Sequence, residues 1–216
     1  MAMKEKLNQI RKPRQIRTTA AATMIGLLFF LGAALGAFSK WLDNLSLDSA
    51  IWWHRLAERL DLGNFFSDLA VWLLFALLIA VFSPSAVQAA LRVLAFFAGM
   101  CAAYHLYTVF FSGFNPMSYM LIWYTITLLS PLLAALCWYA KGSGPAALVL
   151  CIGIAAVFTL SCFSVGFFYI SFRGILYVLV FLGAAAALYR NPKQLLLSLA
   201  PGVLLAFPLS LLWPFH

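Results

Sequence analysis

The sequence predicts an all-α membrane protein, a polytopic bundle of seven transmembrane helices, or of six if one short segment fails to cross. Hydrophobic residues make up 65% of the 216-residue chain and charged residues only 9%, whereas a soluble domain is about a quarter charged. Seven spans of about 20 residues would use about 140 residues, close to the apolar share of the chain. This composition excludes a cytosolic enzyme, a nucleic-acid-binding module and a disulfide-framed secreted domain.

Hydropathy divides the chain into a basic segment at 1–17 and a single transmembrane domain at 18–216. The first apolar run follows basic residues, as in a signal peptide, but it continues to Leu42 and further spans follow, so we expect it to remain uncleaved. Proline and glycine separate the later runs where helices end and begin. The predicted spans are 18–42, 65–82, 87–112, 117–140, 145–170, 174–189 and 194–213.

The distribution of basic residues predicts the orientation. Placing the N-terminus inside puts ten basic residues in cytoplasmic segments and four outside, with five of the six acidic residues outside. This asymmetry predicts a cytoplasmic N-terminus and an external C-terminus, which turns inward if 174–189 does not cross. The first basic cluster could also touch anionic lipid headgroups. That cluster consists of Lys4, Lys6, Arg11, Lys12, Arg14 and Arg17.

The one sizeable loop, 43–64, predicts a short amphipathic helix over about 47–61, with Asp48 as its N-cap and Gly63 as its stop. Tryptophan favours the membrane interface, so we expect this helix to lie there as a structural collar, or alternatively as a lid over a site. Its apolar face consists of Trp52, Trp53, Leu56 and Leu60.

Polar residues at membrane depth are costly, and each is therefore a functional candidate. In the predicted orientation they fall almost entirely in the outer halves of the spans. This pattern predicts a polar, aromatic-lined cavity open to the outside, which suits a small organic ligand. Charge recognition is expected from Asp68 and Arg173, although Asp68 could instead pair with Arg173 or Lys40. The predicted ligand-binding residues are Asp68, His105, Tyr119, Trp123, Tyr124, Thr127 and Arg173.

Small residues in the first span predict a close helix contact. Gly32 and Gly36, and likewise Ala33 and Ala37, are four residues apart, which places each pair on one helix face. We expect this face to pack inside the bundle or against a partner subunit or second copy of the chain.

The sequence contains no recognised catalytic, metal or cofactor motif. The four cysteines lie in apolar runs without CxxC spacing, and HExxH and GxSxG are absent. We therefore predict no catalytic residues, no metal and no cofactor. A Ser–His arrangement around His105 leaves an intramembrane enzyme acting on lipid or peptide as an open alternative.

Three strings, GAALGAFSKWLD at 32–43, WYTITLLSP at 123–131 and WYAKGSG at 138–144, resemble a group of small multi-pass bacterial membrane proteins of unknown function. This resemblance implies a bacterial cytoplasmic membrane and brings no activity. The chain is also similar to the S-components of energy-coupling-factor vitamin transporters, which have six spans and bind ligand near the outer face. Ala33 and Ala37 match the AxxxA spacing by which S-components meet a membrane partner.

The leading hypothesis from the sequence is a transporter-like membrane subunit that binds a small ligand in an outward-facing cavity. The alternative is a non-catalytic assembly or regulatory subunit that packs against a partner through the small-residue face of the first span. The expected partners are the lipid bilayer, a small organic ligand and a membrane subunit or second copy, and no nucleic acid.

Overall fold

A computed structural model of the protein describes residues 3–46, 48 and 50–213. Helices form almost all of the fold, and a single two-stranded hairpin interrupts them in the described residues. The elements are α1 (Met3–Ile10), α2 (Thr18–Asp43), α3 (Trp52–Arg59), α4 (Leu62–Ser67), α5 (Leu69–Val81), α6 (Ala86–Tyr107, continued by a π-helical turn Thr108–Ser112), α7 (Met117–Ala140), α8 (Gly144–Cys162), β1 (Phe163–Val165), β2 (Ile170–Phe172), α9 (Ile175–Leu188) and α10 (Pro192–Leu209, continued by a 3-10 turn Ser210–Leu212).

Five helices are long and apolar enough to cross a membrane, namely α2, α6, α7, α8 and α10 with their terminal turns. Two further apolar helices are shorter, α5 with 13 residues and α9 with 14. At 1.5 Å per residue they measure about 20 and 21 Å, less than the hydrocarbon core of about 30 Å. The chain is therefore an integral membrane helical protein with five candidate spans, and the prediction of seven full-length spans is not confirmed.

Hydropathy did not reveal breaks within two of the predicted spans, whereas α9 agrees with the short span predicted at 174–189. The predicted span 65–82 is interrupted at Asp68, which adopts an extended backbone and caps α5 by accepting a hydrogen bond from the amide of Leu69 at 2.6 Å. The predicted span 145–170 ends as a helix at Cys162, and the hairpin follows. Hydropathy alone does not separate an apolar strand from an apolar helix, so the all-α prediction missed this hairpin.

The two ends of the bundle differ in charge. One end, called the basic end, carries Arg11, Arg14, Lys141 and Arg190. The other, called the acidic end, carries Asp43, Glu58, Asp61 and Asp68. Helices α5 and α9 are parallel neighbours that both begin at the acidic end and finish at the basic end.

At the basic end, cationic side chains bind the carboxyl ends of helices. Arg11 donates to the carbonyl oxygens of Val81 at 2.9 Å and Trp138 at 2.7 Å, and its guanidinium lies 4.5 Å from the centre of the Trp138 ring. Lys141 donates to the carbonyls of Ala187 and Tyr189. These carbonyls carry the negative end of the helix dipole, so the cations stabilise them. Burial lowers the pKa of Arg11.

Residues 10–14 of the basic segment are docked against the helices. The amide of Ser143 donates to the carbonyl of Ile10 at 2.8 Å, and the amide of Arg14 donates to the carbonyl of Pro84 at 2.8 Å. The segment thus crosses the basic end and links α5, α7 and α8.

The small-residue face of α2 is filled by α6. Gly32 and Gly36 are buried, and a Cβ atom at either would overlap the carbonyl oxygen of Phe96 or Met100. Gly99 of α6 meets the backbone of α2 in the same way, while Ala33 and Ala37 lie half-buried beside them. The absence of side chains here allows the two backbones to touch.

Within the predicted loop helix at 47–61 the structure has the shorter helix α3, and a separate helix, α4, begins after it at Leu62; residues 47 and 49 lie outside the described residues. The N-cap of α3 is Ile51 rather than Asp48, and Gly63 lies inside α4 rather than ending a helix. The break comes at Asp61, whose φ of 50° is left-handed. Trp53 stacks on Trp41 of α2 at 6.3 Å, whereas Trp52 and Leu56, from the same predicted apolar face, are 70% and 48% exposed.

Candidate functional site

The acidic end contains a cavity with two adjoining lobes. The floor lobe, of about 610 Å³, lies at the start of α5 and includes Asp68, Trp123, Arg173 and Tyr177 in its lining. The rim lobe, of about 590 Å³, lies above it and includes Lys40, Asp43, Glu58, Tyr104 and Phe114. The lobes share the lining residues Asp61, Asn64, Ser67 and Tyr119.

An ion pair between Asp68 and Arg173 forms part of the floor lobe. The Arg173 guanidinium also donates to the carbonyl of Ser161 at 2.9 Å and lies 4.5 Å from the centre of the Tyr177 ring. The Tyr177 hydroxyl donates to Asp68 at 3.0 Å. The side chains of Arg173 and Asp68 are only 28% and 17% exposed, so each charge depends on the other for compensation.

A second, looser ion pair lies in the rim lobe. The Lys40 ammonium is 3.7 Å from Asp43 and lies near the rings of Tyr104 and Phe114, at 5.4 and 5.7 Å from their centres. Asp43 accepts hydrogen bonds from Ser67 at 2.7 Å and from Tyr104 at 3.0 Å. The rim lobe therefore already holds one ammonium group against aromatic rings and a carboxylate.

Negative charge is in excess in the cavity. Four carboxylates and two cations line the two lobes, which gives a formal charge of −2. Both cations are paired, whereas Glu58 and Asp61 form no ion pair within the part of the chain that the structure describes. The Asp61 carboxylate accepts two hydrogen bonds from the Asn64 amide, at 2.9 and 3.0 Å. Such a cavity attracts positive ions and repels negative ones.

Of the seven residues predicted from the sequence, the structure brings four together around the floor lobe. These are Asp68, Tyr119, Trp123 and Arg173.

The other three lie between α6 and α7, outside the lining of both lobes. The Nδ1 atom of His105 is 2.5 Å from the Tyr124 hydroxyl, and Thr127 lies 3.3 Å from the Cys101 sulfur. Tyr124 is one residue from Trp123, about 100° around the helix, and so it points away from the cavity. Depth in the membrane alone could not separate these two faces of α7.

The sequence reasoning did not assign Asp61, Asn64 and Tyr177 to the site. Tyr177 follows Arg173 by four residues, but Arg173 lies before the start of α9, so helical periodicity did not predict that the two side chains meet. The position of Asp61 depends on its left-handed backbone, which no local pattern predicted.

No group of three or more His, Cys, Asp or Glu residues suited to a metal ion occurs in the ranges described. Comparisons with known proteins find no family model, no curated protein and no solved structure that matches this chain. The resemblance to S-components stays a prediction.

Proposed function

We propose that this protein is a transporter-like membrane subunit that binds a small organic cation in the cavity at its acidic end, with that end facing outside the cell. The observation that carries the proposal is an aromatic cavity with more carboxylates than cations. A neutral lining would suit many ligands, whereas the negative charge of this lining favours a positively charged ligand.

The size and walls of the cavity suit a small molecule. Volumes of about 590 and 610 Å³ fall within the range of about 300–1,000 Å³ seen for ligand pockets. Tyr104, Phe114, Tyr119 and Trp123 provide aromatic surface. A cation over such rings is stabilised by about 0.5–2 kcal/mol, in addition to its attraction to a carboxylate.

The floor supports binding from one side rather than open conduction. The floor lobe lies at the start of α5, about 20 Å from the basic end. Beyond it, Trp72, Leu77 and Val81 are buried and close the path along α5. A ligand that enters from the acidic end is therefore held at the floor in this conformation.

The orientation follows from charge. Basic residues favour the cytoplasmic side of a membrane, and the segment 1–17 contributes six of them at the basic end. This charge distribution supports an orientation in which the acidic end and its cavity lie outside.

The structure gives less support to the two alternative functions, an assembly or regulatory subunit and an intramembrane enzyme. The face at Gly32 and Gly36, on which a partner subunit was expected to dock, is filled by α6. For the enzyme hypothesis, His105 contacts Tyr124 rather than a serine.

The proposal is tested first by purification in mild detergent and native mass spectrometry. We expect a stoichiometric small molecule with a positive charge. Three probes of the same shape then separate charge from shape: choline, the neutral 3,3-dimethylbutanol and the anionic 3,3-dimethylbutanoate. Choline is expected to raise the melting temperature most and the anion least. No co-purified molecule together with three equal shifts would contradict the proposal.

A matched pair of variants shows whether choline raises the melting temperature by binding in the cavity. Asp61→Asn removes one carboxylate from the cavity, and Glu5→Gln removes one from the basic segment. The rise in melting temperature on adding choline should be smaller in Asp61→Asn and unchanged in Glu5→Gln. Equal effects of the two variants would place the bound cation elsewhere.

A further inference from the structure

We infer that the β1–β2 hairpin is a membrane anchor, whose aromatic tip and the exposed apolar residues of β2, Ile170 and Phe172, lie among the lipids of the leaflet at the acidic end. This inference concerns lipid contact and does not depend on whether the cavity binds a ligand.

The hairpin is apolar and highly exposed. Residues 163–172 contain five aromatic side chains and no charged residue. Phe168 at the tip is 89% exposed and Phe172 in β2 is 79% exposed. An aromatic cluster of this kind is costly in water and marks a binding or membrane surface.

The register of the strands makes the hairpin amphipathic. Phe163 pairs with Phe172, and Val165 pairs with Ile170, so four apolar side chains share one face. The intervening pair, Ser164 and Ser171, falls on the opposite face. An amphipathic element of this kind suits the boundary between lipid and water.

The hairpin directly precedes a lipid-facing stripe of α9. Ile175, Leu179 and Leu182 are exposed and follow each other at four- and three-residue spacing on one side of the helix. Phe172, at the end of β2 just before the helix, is 79% exposed as well. An exposed stripe of isoleucine and leucine on α9 suits lipid, and an exposed apolar hairpin directly before it favours lipid over a protein partner there as well.

The length of α9 indicates how deep in the membrane the hairpin lies. Its 14 residues cover about 21 Å, which leaves about 9 Å of the hydrocarbon core beyond the helix. Each strand has three residues and spans about 10 Å. The hairpin therefore completes the crossing, and its tip at Phe167 and Phe168 reaches the interface, where aromatic residues concentrate.

The anchor also positions the floor of the cavity. Arg173 directly follows β2 and turns away from the lipid stripe towards Asp68. Phe163 packs on Phe181 of α9 at 5.2 Å, which ties the hairpin to the helix. A hairpin held in lipid thus fixes the start of α9 and the guanidinium beside it.

The test is a nitroxide spin label at Phe168→Cys in a cysteine-free background, reconstituted in vesicles of phosphatidylcholine and phosphatidylglycerol. Collision rates with oxygen, which concentrates in lipid, and with a water-soluble nickel chelate report depth. Leu182→Cys is the lipid control and Asn64→Cys the water control. We expect the oxygen-to-nickel ratio at 168 to exceed that at 64 by at least fivefold. A ratio equal to that at 64, or protection from both agents, would overturn the inference.

A second measurement keeps the four native cysteines. The photoreactive residue p-benzoylphenylalanine replaces Phe168, and the vesicles are irradiated. Adducts with the mass of a phospholipid are expected. Crosslinks only to protein, or none, would overturn the inference.

Discussion

Asp68 and Arg173 hold opposite charges on side chains that are largely buried. Asp68→Asn keeps the capping oxygen but removes the charge, so Arg173 is left without its counter-ion. We expect each of Asp68→Asn and Arg173→Gln to lower the free energy of unfolding by roughly 3 kcal/mol. The double variant should lose less free energy of unfolding than the sum of the two single losses, because no uncompensated charge remains in it. Unfolding in mixed micelles measures this cycle, and additive losses would contradict the pairing.

Lys141 gives the protein a dependence on pH. Burial, followed by the charge of Arg11, lowers the pKa of Lys141 below that of an unfolded lysine. Between the two pKa values the unfolded chain binds more protons, so the free energy of unfolding should rise as the pH increases towards the ordinary lysine value of 10.5. In Lys141→Arg the side chain stays charged. As the pH rises, the free energies of unfolding of the native protein and of Lys141→Arg should therefore diverge. Parallel curves of this free energy against pH would contradict the account.

Part of the site was predictable residue by residue. Asp68, Tyr119, Trp123 and Arg173, which line the floor lobe, were selected because polar and aromatic groups at membrane depth need a reason to be there, and their role in binding stays a prediction. His105 satisfied the same criterion but bonds to Tyr124 outside the lobes. The criterion measures depth along a helix and carries no information about the direction in which a side chain points.

At the scale of elements, α2 and α6 form a contact that depends on the lack of side chains at three glycines. Gly32→Ala would place a methyl group on the carbonyl of Phe96, whereas Gly26→Ala meets no atom within 4 Å. We expect Gly32→Ala to lower the free energy of unfolding by about 1–3 kcal/mol, since a packed interface tolerates added volume poorly. Gly26→Ala, on the same helix, should not destabilise the protein. Equal stability of both variants would contradict the close contact.

Hydropathy located every long helix but misjudged two lengths. The prediction for 117–140 agrees with α7, because proline and glycine bound that run at both ends. The run 65–82 carries only one charged residue, Asp68, and a single acid does not reveal an extended backbone in an apolar segment. The run 145–170 changes from helix to hairpin among residues that are apolar throughout. The lengths of the helices and the register of the hairpin depend on tertiary contacts, about which hydropathy gives no information.

For the molecule as a whole, the two short parallel helices explain why a cavity exists. Helices α5 and α9 begin well short of the neighbouring spans, and the space above them is the floor lobe. Cations close the opposite end by binding helix carbonyls. The resulting molecule is closed at its basic end and open at its acidic end, the arrangement that the proposed binding of a cation at the acidic end requires.

The central claim is that an acidic, water-filled cavity reaches the floor lobe from outside. Ile126 lines that lobe, while Leu128, two residues further on, is 79% exposed on the surface. In a cysteine-free background, Ile126→Cys and Leu128→Cys are exposed in intact cells to two methanethiosulfonates, one bearing trimethylammonium and one bearing sulfonate.

The account predicts that Ile126→Cys reacts and that Leu128→Cys, which faces lipid, does not. At Ile126→Cys the cationic reagent should react at least tenfold faster than the anionic one, after correction for their rates with a free thiol. An unreactive Ile126→Cys would contradict the open cavity. Equal corrected rates would contradict its preference for cations.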